Sequence, residues 1–244
     1  MAQRSSIPAG LAGVVREGGP VTPRRAATVL LIDASTAPWQ VLMMRRPSGA
    51  DFAPGAYVFP GGSVHPEDAE LGDVDRAAAV REVFEEVGIL LARRAGRRFA
   101  RDRECVLLRE RLAAGAGWVA ALRELELAPA FDRLVFLARW ITPEVVSRRF
   151  DTRFYLARRP PGQTVVPQPG EVAEWLWVSP GAALAPDGPT LVHATRRILQ
   201  SVAGEPDPAR LISRLRRRRE TPPVTPRVVP RPDGGFDVVD DAGY

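Results

Sequence analysis

No lysine occurs anywhere in the 244 residues, so all 34 basic side chains are arginines. This is a bias of the whole chain, and an arginine taken alone marks no site. Cysteine is nearly absent as well. Cys105 is the single thiol, which excludes an internal disulfide, and with only His65 and His193 as imidazoles a zinc cage of cysteine and histidine cannot be assembled. A catalytic metal would have to be held mainly by oxygen. Long apolar runs are also missing. The first 25 residues mix small, polar and turn-forming types, with nothing long enough for a secretory signal or a membrane span. The expected location is therefore the cytoplasm, with no membrane partner.

The formal charge of +5 invites a nucleic-acid reading, but six arginines fall between Arg210 and Arg219, where there is no acid. Outside that run 28 bases face 29 acids. The run reads as a solvated helix end or tail, and nucleic acid is not expected as a partner. A nucleic-acid-binding or RNA end-processing protein would rest on that run alone.

With 45% hydrophobic residues, the chain can bury one substantial core. Ala26 to Asp33 and Gln40 to Arg45 read as two strands of a hairpin at the edge of that core, with a turn around Ser35 to Pro38. The next stretch, to about Asp75, is dense in glycine, proline and aspartate and reads as loop. A helix follows over roughly Arg76 to Val87 and stops at Gly88, the residue best suited to the left-handed conformation of a helix end. Two helical patterns between Glu104 and Leu127, broken at Gly115 and Gly117, read as an insertion or lid. Strand signals return at Arg133 to Ile141, Thr152 to Ala157 and Trp175 to Val178. A helix over about Thr190 to Val202 closes the compact part, and the tail ends in a small hairpin about Asp233 to Gly235.

The chemistry is concentrated in REVFEEVGI, Arg81 to Ile89. Glu82, Glu85 and Glu86 recur at spacings of three and four, which places them on one helical face. At roughly 100° per residue that face lies opposite Val80, Val83, Phe84 and Val87, so the apolar stripe anchors the helix and the acidic stripe looks outward. Like charges at these spacings repel by some tenths of a kcal/mol per pair, about what a cation would relieve; only Arg81 stands at helical spacing to one of them, Glu85. Ahead of the helix runs Phe59-Pro60-Gly61-Gly62, whose glycines let backbone approach a phosphate or shape a tight turn. Arg45, Arg46 and Arg153 sit at strand ends, where they are candidates for phosphate contacts.

On these residues the chain resembles a Nudix hydrolase, whose signature is G-x5-E-x7-R-E-U-x-E-E-x-G-U with U aliphatic. Arg81, Glu82, Val83, Glu85, Glu86, Gly88 and Ile89 match every fixed position of the second half. The first half departs: Gly62 to Arg81 spans 19 positions against 14 in the signature, an excess of five. Asp68 keeps the signature's distance from Gly62 and Asp73 its distance from Arg81, so the first signature acid has two candidates. The segment Ala138 to Ala157, with the two insertions, is similar to the branch that includes peroxisomal coenzyme A diphosphatases. Gly55 to Gly62 is similar to the end of a coenzyme A recognition motif, G-x3-F-P-G-G, although Asp51 stands where that motif has arginine.

The resemblance implies an α/β/α sandwich with a mixed sheet, a helical insertion at about 90–130, an N-terminal extension at 1–24, the Nudix domain at 25–203 and a basic, proline-rich tail at 204–244. It implies hydrolysis of the diphosphate in a nucleoside diphosphate joined to another group: coenzyme A or its esters, ADP-ribose, NADH or a nucleotide sugar. Glu82, Glu85 and Glu86 would hold Mg2+ or Mn2+, with Arg81 positioning Glu85 and with Arg45, Phe59, Gly61, Gly62 and Glu171 against the substrate. The general base would come from the same helix or from Glu171 or Glu174, in the pattern E-x-x-E-x-x-W ending at Trp177. A homodimer is compatible with the family, and the alternative of another class is a regulator that binds a nucleotide without cutting it.

Overall fold

The computed structural model describes residues 21–50, 53–94, 98–230, 232 and 236–240. Most of the N-terminal extension, Asp51 and the turn at Asp233 to Gly235 lie outside the described residues. β1 (Arg24–Asp33) and β2 (Gln40–Arg45) form the expected hairpin, with Ile32 opposite Val41. The hairpin is not at the edge of the core. β1 carries apolar side chains on both faces, which suits a strand covered from both sides, and it occupies the middle of the sheet.

Short strands β3 (Tyr57–Val58) and β4 (Gly61–Ser63) pair with β2 and β1 respectively. Part of the stretch read as loop is thus ordered, and it goes on into a 3-10 helix at Pro66–Leu71. α1 (Val74–Val87) begins two residues earlier than expected because the Asp73 carboxylate caps it, accepting from the Arg76 N–H at 3.2 Å. It ends at Gly88 with φ +71°. The pair β5 (Ala92–Arg93) and β6 (Ala128–Pro129) brackets α2 (Asp102–Ala113) and α3 (Trp118–Glu124). These helices stand in the core: Cys105, Leu108, Trp118 and Leu122 are buried, and the Trp118 ring lies 5.6 Å from that of Phe84 on α1.

β7 (Val135–Ile141) and β8 (Phe150–Arg158) are antiparallel, whereas β8 runs parallel to β1 over Arg24 to Ile32. β9 (Glu174–Val178) pairs with β2, which completes a seven-stranded mixed sheet with the path β3-β2-β1-β8-β7. Alternation along β1 splits the apolar interior in two. Ala27, Val29 and Leu31 meet α1, α2 and α3 on one face. Leu30 and Ile32 on the other face meet α5 (His193–Ala203), which follows the short α4 (Pro180–Leu184), and α6 (Pro208–Arg217). The expected α/β/α sandwich is the observed one.

The arginine run belongs to α6, which buries Leu211 and Leu215 and leaves its arginines exposed. Beyond it β10 (Arg227–Pro230) and β11 (Phe236–Val239) form an antiparallel pair. Among the described residues no helix is long and apolar enough to cross a membrane.

Candidate active site

α1 is anchored as its pattern requires, with Val80, Val83, Phe84 and Val87 at 2% exposure or less. The acidic face does not look outward, however. Glu86 is buried, the Glu82 side chain is 12% exposed, and only Glu85 reaches solvent, at 40%. The cause is β4, which crosses this face of the helix. A Cβ on Gly61 would lie 2.6 Å from the Thr28 Cα, and one on Gly62 would lie 2.5 Å from a Glu82 carboxylate oxygen. Gly61 therefore lets the strand close onto β1, and Gly62 lets it close onto Glu82. The Gly61 N–H then donates to Glu86 Oε2 at 2.7 Å.

Arg81 is the hub of this cluster, with a side chain 1% exposed. Its Nη1 donates to Glu82 at 2.9 Å and to Glu85 at 2.8 Å, and its Nη2 to the Ser63 carbonyl at 2.8 Å. Nε and Nη2 form a two-pronged pair with Asp68 at 3.1 and 3.0 Å. Asp68 is fully buried and its Oδ2 also accepts from the His65 N–H at 2.7 Å. Of the two candidate acids in the long loop, Asp68 is thus the one that touches Arg81, while Asp73 serves as the helix cap. The loop's five extra residues alter the spacing but keep a carboxylate on Arg81.

Burial pushes the carboxyls up. The Glu82 carboxyl rises to about 7, desolvation outweighing the attraction of Arg81, with the Glu85 charge adding to the rise. Glu85 is raised and Glu86 is raised well above the ordinary range by burial, against the Gly61 N–H and with the charges of Glu82 and Glu171 adding. Burial works against the Arg81 charge too, but its partners prevail, the Asp68 hydrogen bonds first, and its pKa is raised.

Glu171 belongs with the cluster through the loop after β8, which is tied to the end of α1: Val166 N–H donates to the Val87 carbonyl and Gln168 N–H to that of Glu86, both at 2.9 Å. Its charge bears on both Glu85 and Glu86. Glu174, three residues on, faces elsewhere. It pairs with Arg45 at 2.9 Å across β2 and β9, and after burial it is the next cause that raises the Tyr57 hydroxyl. Phe59 is buried in the core on the α5 side and also lines a cavity at the Gly61–Gly62 corner. Arg46 lines the same cavity and its charge reaches Glu86. Arg153 is engaged by Asp75 at 3.0 Å and Glu220 at 2.9 Å. His193 joins Asp240 at 2.7 Å, a pairing that no local signal announces.

Among the described residues no group of three or more His, Cys, Asp or Glu side chains is drawn up as a ready metal cage. Glu82 and Glu85 are turned onto one Arg81 nitrogen and Glu86 onto Gly61, so each carboxylate is held by a different or shared protein donor. The donor set nevertheless fits a hard divalent cation. It consists of carboxylate oxygens alone, its members are close enough to raise one another's pKa, and Gly62 leaves no Cβ against Glu82. Gly62→Ala is accordingly expected to keep the fold while weakening magnesium binding by about tenfold, read by calorimetric titration; an unchanged affinity would show that the Glu82 carboxylate need not sit against this strand.

The model of the NUDIX domain matches residues 22–108, and the model of the NUDT19 Nudix domain matches residues 71–186. Both ranges contain the glutamate helix. A Caenorhabditis elegans protein named as nudix hydrolase 7 is 34% identical over 157 residues, 64% of this chain and 52% of that protein. The chain therefore spans about half the length of this relative. A NUDIX hydrolase crystal structure from Alicyclobacillus acidocaldarius superposes with a TM-score of 0.68 at 26% identity, over 79% of this chain and 96% of the other.

Proposed function

We propose that this chain, whose residues 22–108 match the NUDIX domain model, is a divalent-metal-dependent pyrophosphohydrolase, cutting the diphosphate of a nucleoside diphosphate linked to a second group. The observation that carries this reading is the gathering of Glu82, Glu85 and Glu86 under the Gly61–Gly62 corner, the first two by Arg81 and the third by the Gly61 N–H. Diphosphate hydrolysis asks for negative charge to be neutralised and for a water to be made nucleophilic, and Mg2+ or Mn2+ supplies both when bound. Glu82, Glu85 and Glu86 would hold the ion, and Arg81 holds two of them in place meanwhile. The Gly61–Gly62 backbone shapes the approach to the phosphates. No side chain is required as nucleophile, and water attacks phosphorus directly. As general base Glu171 is better supported than Glu174, because its charge reaches the cluster whereas Glu174 is spent on Arg45.

The second group is proposed to be that of coenzyme A or one of its esters, supported by the match to the NUDT19 Nudix domain and by the run Gly55 to Gly62. ADP-ribose, NADH and nucleotide sugars are the competing substrates. The test is a panel of these compounds incubated with magnesium in 18O-water and read by mass spectrometry. Hydrolysis is expected to release a nucleoside monophosphate, with one 18O in one of the two phosphoryl products. Binding without turnover would favour the regulator reading, whose one supporting observation is that the carboxylates are already bonded to protein donors.

The raised carboxyls give a further expectation for the metal-free protein. A carboxyl whose pKa is higher folded than unfolded holds its proton more tightly when folded. The stability it lends is fully present below the ordinary value of 4.5 and is lost as pH rises toward about 7 for Glu82. For this group alone the loss is on the order of 3 kcal/mol. Melting in EDTA is expected to fall between about pH 5 and pH 7.5, and millimolar magnesium is expected to restore it at the upper pH and do little at the lower. A flat EDTA profile would contradict the assigned burial of these charges.

A further inference from the structure

The Gly61–Gly62 corner forms one end of a cavity of about 330 Å3 whose wall is mostly apolar. Phe59, Trp140 and Phe154 line it, and so do two residues from late in the chain, Pro226 and Val238. Arg46 and Arg148 are its charged members.

The segments that carry Pro226 and Val238 are held there by specific bonds. After α6 the chain runs along β7, with Val224 N–H donating to the Arg139 carbonyl at 2.8 Å and Ile141 N–H to the Val224 carbonyl at 2.9 Å. It then turns into the β10–β11 pair, where Val228 faces Val238. Just past β11 the Asp240 side chain, 2% exposed, is taken by His193 Nε2 at 2.7 Å and Arg197 Nε at 3.0 Å, both on α5. These partners favour the ionised carboxylate and make it a latch between the C-terminal strands and the body of the domain.

Resting on the hydrolase reading above, we infer that this cavity binds the group on the far side of the diphosphate from the nucleoside, that it takes an uncharged, apolar stretch of that group, and that the latched C-terminal strands make the enzyme selective for it. A sugar or a second phosphate placed against Phe59, Phe154 and Val238 would lose water there and find partners only at the wall's polar members, Arg46, Arg148, His193 and five Ser and Thr side chains, and a nucleobase brings several ring nitrogens and exocyclic groups to satisfy. An alkyl or phenyl group brings none. Its burial would add to affinity in proportion to the area covered.

The test uses the full chain with magnesium and the methyl, hexyl and phenyl esters of the terminal phosphate of ADP. For the wild type, kcat/KM for the hexyl or the phenyl ester is expected to exceed that for the methyl ester by about tenfold or more. The member that gains more tells a chain from a ring. Val238→Asp, which puts a charge in the wall, and Asp240→Asn, which weakens the latch, are expected to bring the ratio near unity. Val238→Phe, which fills the space while staying apolar, is expected to lower it as well and serves if the polar variants fail to fold, as judged by melting. Equal rates for all three esters in the wild type, or a ratio that survives in folded Val238→Phe and Val238→Asp, would overturn the inference.

A second readout separates this failure from that of the hydrolase reading. Hexyl phosphate in EDTA, followed by calorimetry, is expected to bind more tightly than methyl phosphate, and Val238→Asp to abolish the difference. That result without cleavage of any ester would remove the hydrolase and keep the cavity. Cleavage with no chain-length or ring effect in either assay would do the reverse.

Discussion

Glu86→Gln is expected to lower magnesium-dependent turnover by about 10^3-fold, corresponding to roughly 4 kcal/mol of transition-state stabilisation, without making the metal-free protein less stable. The two halves of this result have one cause. Glu86 is the most deeply buried of the three acids, and burial holds its carboxyl well above the ordinary range, so its charge is a liability to the empty fold. Glutamine keeps the side-chain oxygen that accepts from Gly61 N–H, so the β4 contact survives and only the charge is lost. Steady-state kinetics on whichever diphosphate the panel identifies, together with melting in EDTA, decides the matter. Lost activity with lost stability would make Glu86 a structural residue. Retained activity would remove it from the metal site, and Glu85→Gln run beside it shows whether the more exposed acid carries the ion instead.

Much of this site was readable from the chain because its spacing is local. Glu82, Glu85 and Glu86 share a face by helical arithmetic, and the partnership of Arg81 with Glu85 is an i,i+4 pair that appears as expected. The same arithmetic failed on exposure. The pattern separates the acids from the apolar residues but is blind to a strand crossing the acidic face, and β4 does so through two glycines that a sequence reading treats as turn residues. The hairpin of β1 and β2 was legible from its apolar alternation, whereas its central place was not, since the parallel partner β8 lies more than a hundred residues on. Longer-range pairings left no trace at all. Nothing near His193 points to Asp240, and the arginine run hid the leucines that dock α6. The role of Asp68 was ambiguous for a different reason, the loop's extra length, which preserved one spacing from each end.

Arg81→Met is expected to destabilise the protein by about 3–5 kcal/mol and to abolish turnover, the largest stability effect of any single change at this site. Methionine replaces the arginine stem but leaves the buried space of the guanidinium unfilled, so a packing loss adds to the electrostatic one. The loss of Arg81 leaves Asp68 with no cation and no access to water, and leaves Glu82 and Glu85 facing each other without the nitrogen they share. Arg81→Lys is expected to recover little, because a single ammonium cannot serve Asp68 through two prongs while also reaching Ser63, Glu82 and Glu85. Adding Asp68→Asn to Arg81→Met removes the stranded charge and is expected to return part of the lost stability but none of the activity, since Glu82 and Glu85 remain unpositioned. The double-mutant cycle by denaturant titration measures the coupling directly, and Arg81–Asp68 should show at least about 1 kcal/mol. Additive effects would mean that Asp68 is satisfied by the His65 N–H alone, and that the acid in the long loop has no hold on the arginine that organises the glutamates.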